Sequence, residues 1–319
     1  MCIFAQPVVS VTDTNIFARL LPDGWQSVVY QMKFETKENN AIILPLPVQL
    51  PVTEENSLQF ISLAGQTQFF TDLNDGFPLE RPMPESFSRG IDFQVDVQES
   101  NLQVHDVGEF IASFVPSIPD FDRLDERFRI PPESWAKIPQ YSDFGFAVFR
   151  LKSLRGKPHP MAFKFRSRLN DPQGGSVFFP TVHIHDGEVH DREHFDHTLF
   201  LQAPEFDKAC GKYKQQTRLV ADAATGYVRS KWTAGNFCDI SGSRGIVAAD
   251  ALVHRLQMRG TLKNADVLAN LNLSHARRLS GLSQVEGGVA AVGLAGLWGL
   301  KWFCDRRSFV AETHAGKTS

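Results

Sequence analysis

Short runs in which apolar residues alternate with polar ones, each closed by proline, glycine or asparagine, constrain this chain more than any other feature. Trp25-Gln26-Ser27-Val28-Val29-Tyr30-Gln31-Met32-Lys33-Phe34-Glu35 alternates as a half-buried strand does, after a Pro22-Asp23-Gly24 turn. Beyond the Asn39-Asn40 turn, Ala41-Ile42-Ile43-Leu44 is apolar at every position, which predicts a strand covered on both faces. Pro45-Leu46-Pro47 then removes ladder donors and places that segment at a sheet edge or rim. With Thr14-Asn15-Ile16-Phe17-Ala18-Arg19-Leu20 ahead of it, the region reads as an antiparallel meander. Ile91-Asp92-Phe93-Gln94-Val95-Asp96-Val97 alternates strictly and predicts a strand with one wet face. Phe144-Gly145-Phe146-Ala147-Val148-Phe149-Arg150-Leu151-Lys152 and Met161-Ala162-Phe163-Lys164-Phe165-Arg166 read as a hairpin joined through Gly156, with Phe163 and Phe165 facing in. Phenylalanine supplies 26 residues against 4 tyrosines and 5 tryptophans. Short Phe-rich runs between prolines build packed sheets rather than helical bundles.

The expected fold is therefore mainly β, with antiparallel sheets packed sandwich-like and a smaller C-terminal helical segment, α+β overall. A chain of 319 residues can bury a sizeable core. We expect an antiparallel β domain over residues 1–205, a mostly helical segment over 206–273 and a tail over 274–319. Phe121, Leu124 and Phe128 stand at helical spacing among charges, as an amphipathic helix docked on the sheet would place them. Ile246, Ala249, Val253 and Leu256 make a second helical stripe, stopped by Gly260, and 264–273 reads as another short helix. Ser241-Gly242-Ser243-Arg244-Gly245, ahead of that stripe, has the composition of an anion cradle but not the spacing of a nucleophile elbow.

A net charge of −3, with both signs interspersed and no basic stripe, gives no electrostatic case for nucleic acid. The four cysteines (Cys2, Cys210, Cys238, Cys304) form no CxxC pair, and no basic n-region opens the chain. Together these lead us to expect free thiols in the cytoplasm.

The densest chemistry lies at Thr181-Val182-His183-Ile184-His185-Asp186-Gly187-Glu188-Val189-His190-Asp191-Arg192-Glu193-His194-Phe195-Asp196-His197, which holds five of the ten histidines. Imidazoles interleaved with carboxylates suit a divalent metal such as Zn²⁺, and equally a solvated polar hairpin. On a strand His183 and His185 share one face, with Val182 and Ile184 on the other. Asp186-Gly187 signals a turn, so the cluster reads as a hairpin end. Pairing about position 190 sets His183 opposite His197 but puts the histidines beside Phe195, Leu199 and Leu201. A one-residue shift aligns the apolar residues and sets His183 beside Asp196. The expected ligands are accordingly His183 and His185 with Asp196, helped by His190 or His194.

Met-Cys at the start, Asn15-Ile16-Phe17, Leu44-Pro45-Leu46-Pro47 and Phe179-Pro180-Thr181-Val182-His183-Ile184-His185-Asp186-Gly187 together resemble an uncharacterised family of bacterial and viral proteins. The resemblance spans about residues 2–205 and implies no activity.

Two further features bear on function. Removal of Met1 would expose Cys2, and a terminal thiol beside an α-amine of pKa about 8 is the chemistry of amino-terminal-nucleophile hydrolases. Gly287, Ala291, Ala295 and Gly299 recur every four residues in an apolar stretch with Trp298 and Trp302, as in a membrane-anchoring or tightly packed core helix. Three functions are open on the sequence alone. The first is a β protein binding a divalent metal, with metal-assisted hydrolysis as its extension and a tail anchor as its tether. The second is a non-enzymatic binding or membrane-associated interaction protein with structural histidines. The third is a hydrolase using Cys2.

Overall fold

In the computed structural model the described residues are 3–52, 57–77, 102, 104–171, 175–212 and 225–272. The strands run in chain order as β1 (Ile3–Phe4), β2 (Val8–Leu20), β3 (Trp25–Thr36), β4 (Ala41–Leu46), β5 (Leu58–Ser62), β6 (Val104–Asp106), β7 (Phe110–Val115), β8 (Gly145–Leu151) and β9 (Arg155–Gly156). They continue as β10 (Met161–Arg166), β11 (Ser176–Phe179), β12 (Arg192–Phe195), β13 (Thr198–Gln202), β14 (Gly211–Lys212), β15 (Val228–Arg229), β16 (His254–Gln257), β17 (Gly260–Lys263) and β18 (Val267–Asn270). Among the described residues two short α-helices, α1 (Phe69–Asp75) and α2 (Pro132–Lys137), interrupt them. One sheet has the order β1-β4-β8-β7-β6 and another the order β14-β15-β16-β13-β2-β3-β10-β5. Most neighbours are antiparallel; β13 on β2 and β14 on β15 are parallel.

Alternation along the strands distributes side chains among three apolar layers. Ile42 and Leu44 of β4 face inward between the sheets, with Phe149, Phe163, Phe165, Leu199 and Leu201. Ala41 and Ile43 face out beneath Phe121, Phe128, Trp135 and Tyr141 of the 118–144 segment. On the far side of the larger sheet, Phe17, Val29 and Phe200 are covered by Phe69, Phe70 and Leu73 of α1 and by Ile246 and Val253. The all-apolar run at 41–44 is thus covered on both faces, as its pattern demands.

Several expectations need correction. β2 and β3 form the expected antiparallel hairpin, but β4 leaves for the other sheet and pairs with β1 and β8. β8 and β10 are not a hairpin: β8 lies between β4 and β7, and β10 between β3 and β5. β8 is buried on both faces and β10 buries Met161, Phe163 and Phe165 on one, yet each has a neighbour on either side in a different sheet, and the chain crosses between them past Gly156. Phe121, Leu124 and Phe128 lie on two 3₁₀ turns, Ile118–Arg123 and Glu126–Phe128, with Leu124 extended between them. The helix expected over 246–256 is instead a run of turns leading into β16. The helix expected over 264–273 holds β18, paired to β11. The described part of 206–273 is therefore built from strands and turns, and β14, β15 and β16 continue the larger sheet.

The strand expected at 91–97, Cys2 and the apolar stretch containing Gly287, Ala291, Ala295, Trp298, Gly299 and Trp302 lie outside the described residues. Among the described residues no helix is long and apolar enough to cross a membrane.

Candidate functional site

The segment carrying His183 and His185 is held along both edges. On one side Asp266 Oδ1 accepts from the amides of Thr181 and Val182, at 2.8 and 3.1 Å, and Asp266 Oδ2 accepts from the Tyr141 hydroxyl at 2.6 Å. Asn264 Oδ1 accepts from the His183 amide at 2.7 Å. On the other side Phe4 N donates to the Ile184 carbonyl at 3.1 Å and Val8 N to the His185 carbonyl at 2.8 Å. Extended backbone then does what the sequence predicts: Val182 and Ile184 enter the outer apolar layer, while His183 and His185 share the opposite face with rings stacked 5.1 Å apart.

The partner of that face is His197, at the junction of β12 and β13. Its ring lies parallel to that of His183 at 5.0 Å, with the two Nε2 atoms 3.3 Å apart. Phe195 packs against both, 4.2 Å from the His183 ring and 5.0 Å from that of His197. The His197 carbonyl accepts from Met258 N and from Arg259, whose other amino nitrogen donates to Thr198 Oγ1 at 3.1 Å. His183 and His197 are fully buried. Four buried polar atoms in this cluster have no hydrogen-bond partner: His183 Nδ1, His185 Nε2, His197 Nδ1 and Asp196 Oδ1. Burial holds His183 far below the usual imidazole range and His185 at about 4. Burial likewise raises the Asp266 carboxyl to about 6, against the hydrogen bonds from Tyr141, Thr181 and Val182 that favour its charged form.

The expected ligand set is not assembled. Asp196 Oδ2 accepts from the Asp13 amide at 2.7 Å, where Asp13 takes φ 55 at a bulge in β2. Its Oδ1 stands 3.6 Å from His197 Nδ1, behind the ring rather than before His183. His190 is exposed and bonded to Asp186 at 2.9 Å, and His194 sits exposed on β12. Among the described residues no three His, Cys, Asp or Glu side chains converge to hold a metal ion. The register argument misplaced His197 because it assumed a hairpin. β11 pairs with β18, β12 with β17, and β13 with β16 and β2, so the histidines meet between elements rather than across one ladder. Phe195, treated as a penalty in that argument, is the ring against which His183 packs.

Sequence reasoning missed Asn264, Asp266 and Asp13 as the groups that position the cluster. An Asn and an Asp two apart beside an apolar run are a recognisable strand-entry signal, obscured by reading 264–273 as a helix. The 241–245 loop is no open anion cradle, since Asp239 Oδ1 already accepts from Gly242 N and Ser241 Oγ.

No family model matches the chain. Among solved structures it is similar to the crystal structure of baculovirus P35, at a TM-score of 0.41 and 12% identity over 84% of this chain and 99% of that one. It is similar also to a chain of the caspase-8/P35 complex, at a TM-score of 0.42 and 12% identity over 81% of this chain and 96% of that one. At this identity and these scores the likeness is one of β-rich build alone.

Proposed function

We propose that the chain is a binding protein and that its 185–194 loop is the surface it presents. One observation carries this reading: Asn264 Nδ2 donates to the His183 and His190 carbonyls together, at 2.9 Å each, so a single side chain closes the base of the loop. The tip is fixed as well. Ser134 Oγ of α2 donates to the Gly187 carbonyl at 3.3 Å, Lys137 Nζ meets Glu188 at 2.8 Å, and Asp186 accepts from Glu188 N at 2.9 Å. A loop already ordered loses little entropy on binding, and loops held by a rigid scaffold are where recognition residues concentrate. Its charges are Asp186, Glu188, Asp191 and Glu193 against Arg192 and the flanking Lys137, an acidic balance that fits a basic peptide segment.

The test is titration of the full chain with a Lys/Arg-rich peptide and its Asp/Glu-rich counterpart at two salt concentrations. The reading requires saturable, salt-sensitive binding of the basic peptide alone. Asp186→Lys with Glu188→Lys should weaken it about tenfold or more, and Asn264→Ala should weaken it with no change of charge. Equal binding of both peptides, or indifference to the charge reversal, overturns it.

A further inference from the structure

We propose that His183 and His197 are the preset half of a buried tetrahedral metal site for Zn²⁺, with His185 as its third imidazole and Asp196 as the carboxylate behind His197. The starting point is the distance of 3.3 Å between the two Nε2 atoms. Hydrogen bonds to nitrogen donors cluster near ~2.9–3.0 Å, so this separation is long for an N–H···N bond. Two imidazole nitrogens each ~2.0–2.1 Å from one Zn²⁺ at the tetrahedral angle stand ~3.3–3.4 Å apart, against ~2.9 Å at a right angle and ~4.1 Å in a line. The observed spacing matches the edge of the tetrahedron.

The unpartnered atoms support the same assignment. When both Nε2 atoms bind a metal, each ring carries its remaining proton on Nδ1. His197 Nδ1 then points at Asp196 Oδ1, 3.6 Å away and otherwise unpartnered, which is the carboxylate–histidine–metal arrangement one small adjustment from closure. Asp196 is itself anchored through Oδ2 by the Asp13 amide, so it is oriented before any metal arrives. His185 brings the third donor: its Nε2 is buried and unpartnered, and its ring stacks on that of His183 at 5.1 Å. Among the described residues no three ligands converge as the rings stand, so the His185 ring must rotate toward the Nε2 pair when metal binds. His183 Nδ1 lacks a partner with or without metal and decides nothing. This set differs from the one expected on sequence, because His197 replaces Asp196 as a ligand and His190 and His194 take no part.

Because His183 and His197 are sealed from solvent, the metal is supplied during folding. The full chain is unfolded, refolded with Co²⁺ and examined by absorption for tetrahedral d–d bands, then by Zn²⁺ competition and elemental analysis. We expect one metal per chain, loss of the bands in His183→Gln and in His197→Gln, and weaker binding in His185→Gln. Asp196→Asn, on a partly exposed residue, tests the assignment even where a buried variant fails to refold; its affinity should fall about 10–100-fold. His190→Gln should bind as wild type. Refolded wild-type protein without stoichiometric metal overturns the proposal, as does binding that survives the His183→Gln/His197→Gln pair or is lost in His190→Gln.

Discussion

Two buried histidine groups in this molecule differ in what faces a ring nitrogen: a carboxylate 3.1 Å away in one, a second imidazole 3.3 Å away in the other. His254 on β16 is sealed in the larger sheet with the Leu201 carbonyl 3.2 Å from Nδ1 and the Asp207 carboxylate 3.1 Å from Nε2, a charge contact that lacks hydrogen-bond alignment. Burial pulls its pKa below the ordinary value while the Asp207 carboxylate opposes that pull. His183 and His197 are as deeply buried, yet each offers Nε2 to the other and neither Nδ1 finds a hydrogen bond. Buried polar atoms are normally paired. The contrast is therefore one of neighbours: His254 ties β16 to the Pro204–Phe206 turn through a carboxylate, whereas His183 and His197 face each other.

The largest effect should come from breaking the imidazole–carboxylate group. His254→Leu leaves the Leu201 carbonyl and Asp207 without their partner, a loss of about 3 kcal/mol in urea unfolding; Asp207 is partly solvated, which keeps the figure at the low end for a broken buried pair. His197→Leu in metal-free protein keeps most of the volume but leaves the buried His183 Nε2 without its imidazole partner, so its cost should be about 1–2 kcal/mol, below that at His254. Equal losses in the two variants break the comparison. Excess Zn²⁺ should widen the gap between wild type and His197→Leu, because a ligand that binds only the folded chain stabilises it, and should leave the increment at His254 unchanged.

Asp266 sharpens the comparison from the satisfied side, since it accepts from three donors and still sits at about 6 because it is buried. Its folded value lies above the ~3.9 of an unfolded chain, so the folded state holds the proton longer. The associated stabilisation is complete below the unfolded value and is lost as pH rises through about 6. Asp266→Asn keeps an oxygen for Thr181 and Val182, and lets the Tyr141 hydroxyl turn from donor to acceptor. The variant should match wild type near pH 4 and gain on it by about 2 kcal/mol by pH 7. A difference in urea midpoints that does not change with pH removes the buried-charge account of this anchor.

What the sequence disclosed about these groups follows from what each depended on. Parity along a strand is local, and it correctly put His183 and His185 on one face and Val182 and Ile184 on the other. Coverage of Ala41-Ile42-Ile43-Leu44 on both faces was readable for the same reason. Sheet membership is not local. β8 and β10 carry the same Phe-rich alternation, and nothing within either run says that they belong to different sheets. The meeting of His183 with His197 depends on β12 finding β17 and β13 finding β2, pairings set by chain 60 to 180 residues distant. Periodicity also misled where turns imitate it: Ile246 and Val253 fill the layer on the far side of the larger sheet from a run of turns, at a spacing a helix would share.

The smallest effect belongs to the exposed loop, and it separates the two functional readings. The Asp186 side-chain hydrogen bond raises the His190 imidazole above its ordinary value. Such a group stabilises the fold fully below the unfolded pKa of ~6.5, and the contribution is lost as pH rises through the folded value. Both partners are about half exposed, so His190→Ala should change stability by no more than about 0.5 kcal/mol, and only on the acid side. The imidazole itself is the better probe. In an NMR titration His190 should titrate above free histidine in wild type and return to it in Asp186→Asn, whereas metal uptake at His183 and His197 should be the same in both proteins. If Asp186→Asn also removes the metal, the loop and the buried pair are one site rather than two, and the separation drawn between a presented loop and a buried histidine pair fails.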